Sequence, residues 1–267
     1  MPDATPAELL ETFDAQLRGV IPERLPAGVT LEQDGPLLRY AHRAGRGHVD
    51  YRDLGGLDGA ELDDLIARQV RVFAERGMGF EWKHFAHDLP VDLPERLVAA
   101  GLAPEEVEAV MIAPVAAIAA APRVPEGVTL AEVTAREEFD RIAAMEEAIW
   151  GDRRAWLADM LESERAVDPD ALTVVVAEAA GVIVCAGWIS FPRGTEFASL
   201  WGGGTLPEWR SRGIYRALVA YRAGLAASRG VRYLYVDASP DSRPILERLG
   251  FVVVTMTTPY VWSPRGG

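Results

Sequence analysis

Residues 197–217 read Phe-Ala-Ser-Leu-Trp-Gly-Gly-Gly-Thr-Leu-Pro-Glu-Trp-Arg-Ser-Arg-Gly-Ile-Tyr-Arg-Ala, and they constrain the fold more than any other stretch. An apolar strand runs into Gly202, Gly203 and Gly204, and Pro207, which has no N–H for a ladder, ends it. Arg210-Ser211-Arg212-Gly213 then leads into a helical pattern from Ile214. Strand, turn and helix in this order make an anion cradle. The first N–H groups of a helix lack internal partners, and the helix dipole places partial positive charge there. Gly213 allows close backbone approach, and Arg210, Arg212 and Arg216 supply charge-assisted donors. A diphosphate suits such a cradle. By residue type alone, the stretch equally fits an ordinary strand–loop–helix connection with surface arginines.

The cradle has to sit in a chain of 267 residues, enough for two domains, with 49% apolar and 25% charged residues. The formal net charge is −13, which disfavours nucleic acid as a partner. Residues 1–122 hold 21 acidic and 11 basic side chains, whereas residues 123–267 hold 19 and 16. The less acidic half therefore carries the cradle. The single cysteine, Cys185, lies in an apolar run and is expected to be a buried strand thiol. No charged-then-apolar leader opens the chain, and the longest apolar run, Ala109 to Ala121, is broken by Pro114. The expectation is a cytoplasmic protein, monomer or homodimer, with no membrane partner.

Taken in order, residues 6–19 read as a helix capped by Thr5, followed by a Pro- and Gly-rich loop. Leu37–Ala41 and His48–Tyr51 read as a hairpin around residues 44–47, and Leu62 to Phe73 define a helix ending near Gly77. Phe80–Phe85 reads as a strand, residues 92–100 as a helix and Val107–Ile112 as a strand. Residues 114–127, with three prolines among alanines, read as a linker, and the domain boundary is placed near 122. The second half reads as a strand over Val128–Val133, helices over Glu137–Trp150 and Arg153–Glu164, and strands over Leu172–Glu178 and Val182–Phe191. The cradle strand and the helix Ile214–Arg229 follow, then a strand over Val231–Val236, a helix over Ser242–Leu249 and a strand over Phe251–Thr257.

Arg210-x-x-Gly213-x-Tyr215 after a strand resembles the acyl-CoA-binding motif of the Gcn5-related N-acetyltransferases, Gln/Arg-x-x-Gly-x-Gly/Ala, with Tyr215 departing at the last position. The order β-α-α-β-β-β-α-β-α-β over residues 128–260 also resembles that family. The resemblance implies an α/β fold of two tandem acetyltransferase-like domains, each a mixed central sheet flanked by helices. It also implies acetyl-CoA as co-substrate, no metal, and a small-molecule amine as acceptor. By the same resemblance the pantetheine arm lies against a splayed strand at Gly203, Gly204 and Thr205, with a Leu206 N–H near the thioester carbonyl. The diphosphate is then held by Arg210, Ser211, Arg212, Gly213, Ile214, Tyr215 and Arg216, with Ser239 and Ser242 contacting the arm. The family's thiolate-protonating tyrosine falls on Leu246, and a carboxylate used as base by some relatives falls on Ser199. Glu147, Glu178, Glu196 and Asp237 remain as base candidates, and Tyr260 and Ser239 as acids. A non-catalytic acyl-CoA sensor is the alternative function.

The halves share a pattern. Asp88, Asp92, Leu97, Gly101 and Leu102 match Asp237, Asp241, Leu246, Gly250 and Phe251 in one frame. Aligning Gly77 with Gly230 sets Leu57-Asp58-Gly59-Ala60 opposite Arg210-Ser211-Arg212-Gly213, so acid replaces base. The first half, 1–122, is read as a degenerate copy, and 123–267 as the acyl-CoA-binding catalytic copy. Trp150, Trp156, Trp188 and Trp201 suit either an acceptor pocket or core packing. His42, His48, His84 and His87 all fall in the first half, and a metal site is not expected there.

Overall fold

The computed structural model describes residues 4–42, 46–151 and 153–264; the expected turn residues Ala44 and Gly45 lie outside them. In chain order the elements are α1 (Pro6–Leu17), β1 (Val29–Asp34), β2 (Leu37–His42), β3 (Gly47–Asp50), α2 (Gly59–Glu75), β4 (Phe80–Phe85), α3 (Leu93–Ala99), β5 (Ala103–Pro104) and β6 (Glu108–Pro114). They continue with α4 (Val115–Ile118), β7 (Thr129–Val133), α5 (Arg136–Trp150), α6 (Ala155–Val167), β8 (Leu172–Ala179), β9 (Val182–Ser190) and β10 (Phe197–Thr205). A 3₁₀ turn (Pro207–Trp209), α7 (Ile214–Ser228), β11 (Tyr233–Ala238), α8 (Arg243–Leu249) and β12 (Val252–Trp262) complete the chain. This is a mixed α/β fold. It packs as two compact units, one of Met1–Met111 with Asp237–Arg243 and Val253–Gly267, the other of Ile112–Val236 with Pro244–Val252. Neither unit is a single contiguous stretch.

In the first unit β1, β2 and β3 pair antiparallel in turn, β3 and β4 pair parallel, and β12 pairs antiparallel with β4. Thr5 caps α1 through a capping box with Glu8, as its sequence predicts. The helix α2 forms because Leu62, Leu65, Ile66, Gln69 and Phe73 recur every three or four residues. Its apolar members pack on Leu37, Val49 and Trp82. Gln69 is tolerated in this stripe because its amide accepts from Arg39 Nε at 2.8 Å and donates to Asp34 at 2.9 Å. The strand β1 falls in the stretch expected to be loop. Only part of its Val-Thr-Leu-Glu-Gln-Asp run is shielded, at a sheet edge, so it lacks a clear apolar alternation.

In the second unit β7, β8, β9 and β10 pair antiparallel in turn, and β10 and β11 pair parallel. Ala180 and Gly181, at φ 50° and 80°, close the β8–β9 hairpin in the left-handed region that such turns need. The helices α5 and α6 bury Phe139, Ile142, Leu157 and Leu161 against Val174 and Val176. The helix α7 buries Ile214 and Leu218 against Val175, Val184 and Cys185.

The two units repeat one scheme. Each runs strand, strand, strand, helix, strand, helix, with the same succession of antiparallel, antiparallel and parallel pairings. The helix ends agree too. Met78 N–H donates to Phe73 O at 3.0 Å and Val231 N–H to Ala226 O at 3.1 Å; Leu102 donates to Leu97 at 3.0 Å and Phe251 to Leu246 at 3.1 Å. All four are Schellman closures around a glycine, and the last two involve the residue pairs matched in the sequence.

One half-buried acid gives the second unit a pH signature. Burial pushes the Glu164 carboxyl up to about 7 from an ordinary value of 4.5. Between those values the unfolded chain gives up this proton before the folded chain does, so stability falls as pH rises through the window. Glu164→Gln should match the parent below pH 4.5 and exceed it above pH 7 by up to about 3 kcal/mol in urea unfolding.

Candidate functional site

The cradle strand parts from its neighbour. Among the described residues, β10 pairs with β11 only from Phe197↔Tyr233 to Ser199↔Tyr235, although β10 runs on to Thr205. On its other side the register with β9 shifts between Gly202 and Thr205. The strand thus bulges where the glycines lie and ends before Pro207, as its sequence predicts.

Each glycine makes room for one large side chain. An ideal Cβ on Gly202 would meet the Trp188 ring at 2.7 Å, one on Gly203 the Tyr215 ring at 2.6 Å, and one on Gly204 the Glu146 Oε1 at 2.7 Å. Gly203 also has φ +101°, a conformation that L side chains rarely adopt. The helix α5 packs on Val174 and Val176 and α7 on Val175 and Cys185, so Glu146 and Tyr215 flank the bulge from the two faces of the sheet. The Glu146 side chain is 5% exposed, and its Oε2 accepts from Trp150 Nε1 at 2.7 Å. Tyr215, the departure from the family motif, thus covers a strand position that carries no side chain. Burial raises its phenol above the ordinary value.

A buried cation holds the bulge from within. Arg222 on α7 is 1% exposed, and its Nη1 donates to Trp188 O at 3.1 Å and Trp201 O at 2.9 Å, the carbonyls of a cross-strand pair. Gly187 leaves it space: a Cβ there would lie 2.8 Å from the guanidinium. Burial lowers the Arg222 pKa. Cys185 is fully buried, donates to Gly203 O at 3.7 Å and accepts from Thr205 Oγ1 at 3.3 Å. Burial pushes this thiol up to about 11, which leaves it protonated and inert at neutral pH.

Beyond the bulge, Ser211 takes φ +62° and Gly213 φ +85°, and no side chain caps α7. Arg210, Arg212 and Arg216 are exposed around this end. Arg210 Nε donates to Thr205 O at 3.1 Å, and Arg212 donates to Glu208 O at 3.0 Å with its guanidinium 4.5 Å from the centre of the Trp209 ring. Each tether employs one edge of a guanidinium. The helix α2 of the first unit begins differently: Asp58 caps it, accepting from Gly59 N–H at 2.6 Å.

Residues 203–216 run from the end of β10 through the 3₁₀ turn into α7, with Ile214 buried in the core, and Leu206 N–H already donates to Val184 O at 3.0 Å and is not available to a thioester carbonyl. Glu147 points to solvent, and its buried neighbour Glu146, which the sequence reading passed over, faces the sheet instead. The missed signal was spacing, because Glu146 continues the Phe139, Ile142, Ala143 stripe of α5. Glu196 pairs with Arg232 at 2.8 Å at the opposite end of β10, about 25 Å from Gly204 by strand rise. Glu178 pairs with Arg141 at 3.4 Å. Ser239, Ser242, Asp237 and Tyr260 belong to the first unit. There Ser239 Oγ accepts from Ser242 N–H at 3.3 Å at the entry to α8, and Asp237 pairs with Lys83 at 2.5 Å. Tyr260 is packed in the first unit's core. Trp150, Trp156 and Trp201 are exposed and Trp188 is half-buried. His87 Nε2 lies 2.9 Å from Asp14, and among the described residues no three His, Cys, Asp or Glu side chains gather to hold a metal. No described helix is long and apolar enough to cross a membrane.

Residues 136–251 match the model of the Acetyltransferase (GNAT) family, so that stretch of the chain carries a GNAT acetyltransferase domain. No curated protein shares significant sequence similarity with the chain. Among solved structures, a GCN5-related N-acetyltransferase from Kribbella flavida superposes with a TM-score of 0.66 at 18% identity, covering 90% of this chain and 91% of that one. A GCN5-related N-acetyltransferase from Sphaerobacter thermophilus gives 0.61 at 20% identity, covering 100% and 88%. A tandem GNAT protein from the clavulanic acid biosynthesis pathway, solved without acetyl-CoA, gives 0.61 at 14% identity, covering 97% and 94%. These likenesses establish the fold across the chain.

Proposed function

We propose that the second unit is an acetyl-CoA-dependent N-acetyltransferase that acts on a small primary amine. The observation that carries this reading is the uncapped start of α7, with Gly213 at φ +85° and three exposed arginines around it. These groups fit a diphosphate: backbone donors, the helix dipole and guanidinium edges converge on one exposed point. Arg210, Arg212, Arg216 and the N–H groups from Gly213 to Arg216 would hold the diphosphate, and the bulge at Gly203 and Gly204 would flank the arm. When bound, acetyl-CoA supplies an acetyl thioester open to direct attack by an amine. The chain's own part is to orient that amine and take its proton. Glu146 is the buried carboxylate beside the bulge, and we assign it the proton, with Trp150 Nε1 fixing its orientation at 2.7 Å. We also propose that residues 1–122 and 123–267 descend from one duplicated domain whose first copy lost its cradle.

Free-thiol release from acetyl-CoA across a panel of primary amines tests the reading. Turnover by the parent is expected, with kcat in Glu146→Gln down about a hundredfold, within the range for a positioned base. Glu147→Gln, one residue along the same helix, should be unaffected. Leu246, buried where relatives carry an acid, supports the second reading, an acyl-CoA sensor. Tight binding with no thiol release on any amine would select it.

A further inference from the structure

The first unit contains a cavity of about 880 Å³, bounded by α1, residues 51–58 and the turn 87–91. That volume suits a small organic ligand. Its floor is a polar network that leaves Arg18 Nε without a hydrogen-bond partner. Arg18, 3% exposed, pairs with Asp88 at 2.7 Å and Asp14 at 3.2 Å and lies over the Phe85 ring at 4.1 Å. Asp88 also accepts from Tyr51 OH at 2.6 Å and Phe85 N–H at 2.9 Å. The Arg18 charge is therefore neutralised within the fold and offers little to an incoming anion.

The walls are apolar, formed by Leu10, Leu54, Leu57, Leu89 and Val91, of which Leu89 is 69% and Val91 82% exposed. The rim is acidic. Of the five carboxylates that line the cavity, Asp14 and Asp88 pair with Arg18 and Asp58 pairs with Arg96 at 3.2 Å, which leaves the exposed Glu11 and Asp53 beside the exposed Arg52. The adjoining helix start is closed to anions as well, because Asp58 already occupies it at 2.6 Å from Gly59 N. Apolar walls under a surplus of carboxylate charge select one ligand chemistry, an organic cation on an apolar body.

We propose that the first unit binds a small amphipathic ammonium compound in this cavity, with its apolar body against Leu54, Leu57 and Val91 and its charge toward Glu11 and Asp53. The proposal does not depend on the acetyltransferase reading.

The test titrates the full chain with 2-phenylethylammonium, 2-phenylethanol and phenylacetate by calorimetry. The ammonium is expected to bind at least tenfold more tightly than the alcohol, and phenylacetate more weakly still. Glu11→Lys/Asp53→Lys, which reverses two exposed rim charges, should weaken the ammonium at least tenfold and leave acetyl-CoA binding unchanged. Val91→Lys, a single change at an exposed wall residue, should act likewise if the double variant unfolds. Equal binding of ammonium and alcohol, tighter binding of phenylacetate, no binding of any probe, or ammonium binding unchanged in both variants would each overturn the proposal.

Discussion

Gly213→Asp is expected to weaken acetyl-CoA binding tenfold or more while the folded content of the chain is retained. Two penalties act together. At φ +85° a side chain costs about 1–2 kcal/mol of backbone strain, and the new Cβ would approach Arg216 Nη2 at 3.3 Å. The carboxylate would also cap α7 and pair with the arginines meant for the diphosphate, as Asp58 caps α2. The strain is present with and without ligand and lowers stability, whereas the carboxylate acts on binding, where a loss of about 1.4 kcal/mol is a factor of ten. Arg210→Ala should act in the same direction by removing one charge-assisted contact. Leu57→Ala and Ala60→Asp, in the corresponding turn of the first unit, should leave binding unchanged. Calorimetric titration with acetyl-CoA measures all four. Equal losses from first-unit and second-unit changes would refute the assignment of the cradle to α7.

The cradle was legible in the sequence because its parts are local. Pro207 ends a strand, Gly213 opens a helix and arginines flank it within a few residues. The helices were legible by period, and the repeat by its glycine-terminated helix ends. Besides β1, two features were not legible, each for a physical reason. Glu146 and Glu147 are adjacent acids, and about 100° of helix rotation decides which one is buried. The apolar stripe of Phe139, Ile142 and Ala143 continues through Glu146 and not through Glu147. The membership of β12 depends on its pairing with β4, from Thr257↔Phe85 to Trp262↔Phe80, across more than 170 residues of chain. Pro259, which has no N–H for a ladder, pairs opposite Lys83 beyond the expected strand end at Thr257.

Gly203→Val should be the most disruptive single change in the second unit. A β-branched residue at φ +101° is an outlier costing about 1–3 kcal/mol, and its Cβ would sit 2.6 Å from the Tyr215 ring. Overpacking adds about 1–3 kcal/mol, since Tyr215 is wedged between α7 and the strand. The sum, roughly 2–6 kcal/mol, would appear as a lower urea midpoint. The double variant Gly203→Val/Tyr215→Ala separates the two causes. If it recovers about half of the loss, crowding and backbone strain both contribute. Full recovery would mean that the glycine is there only to seat the tyrosine. The glycines are thus explained as seats for Trp188, Tyr215 and Glu146 and not only as a gap for a ligand.

The contrast between the two helix starts also bears on how each half responds to its surroundings. Asp58 gives α2 a counter-ion of its own, so that helix start is satisfied whatever the cell contains. The start of α7 has no side-chain cap, so under the proposed assignment its counter-ion comes from outside. A ligand at a hundred times its dissociation constant adds about 2.7 kcal/mol of stability to the form that binds it. The resistance of the second unit to unfolding would then rise and fall with the acyl-CoA supply, while that of the first would not follow acyl-CoA. One duplicated fold would thereby contain a half whose susceptibility to proteases follows acyl-CoA supply and a half whose susceptibility does not.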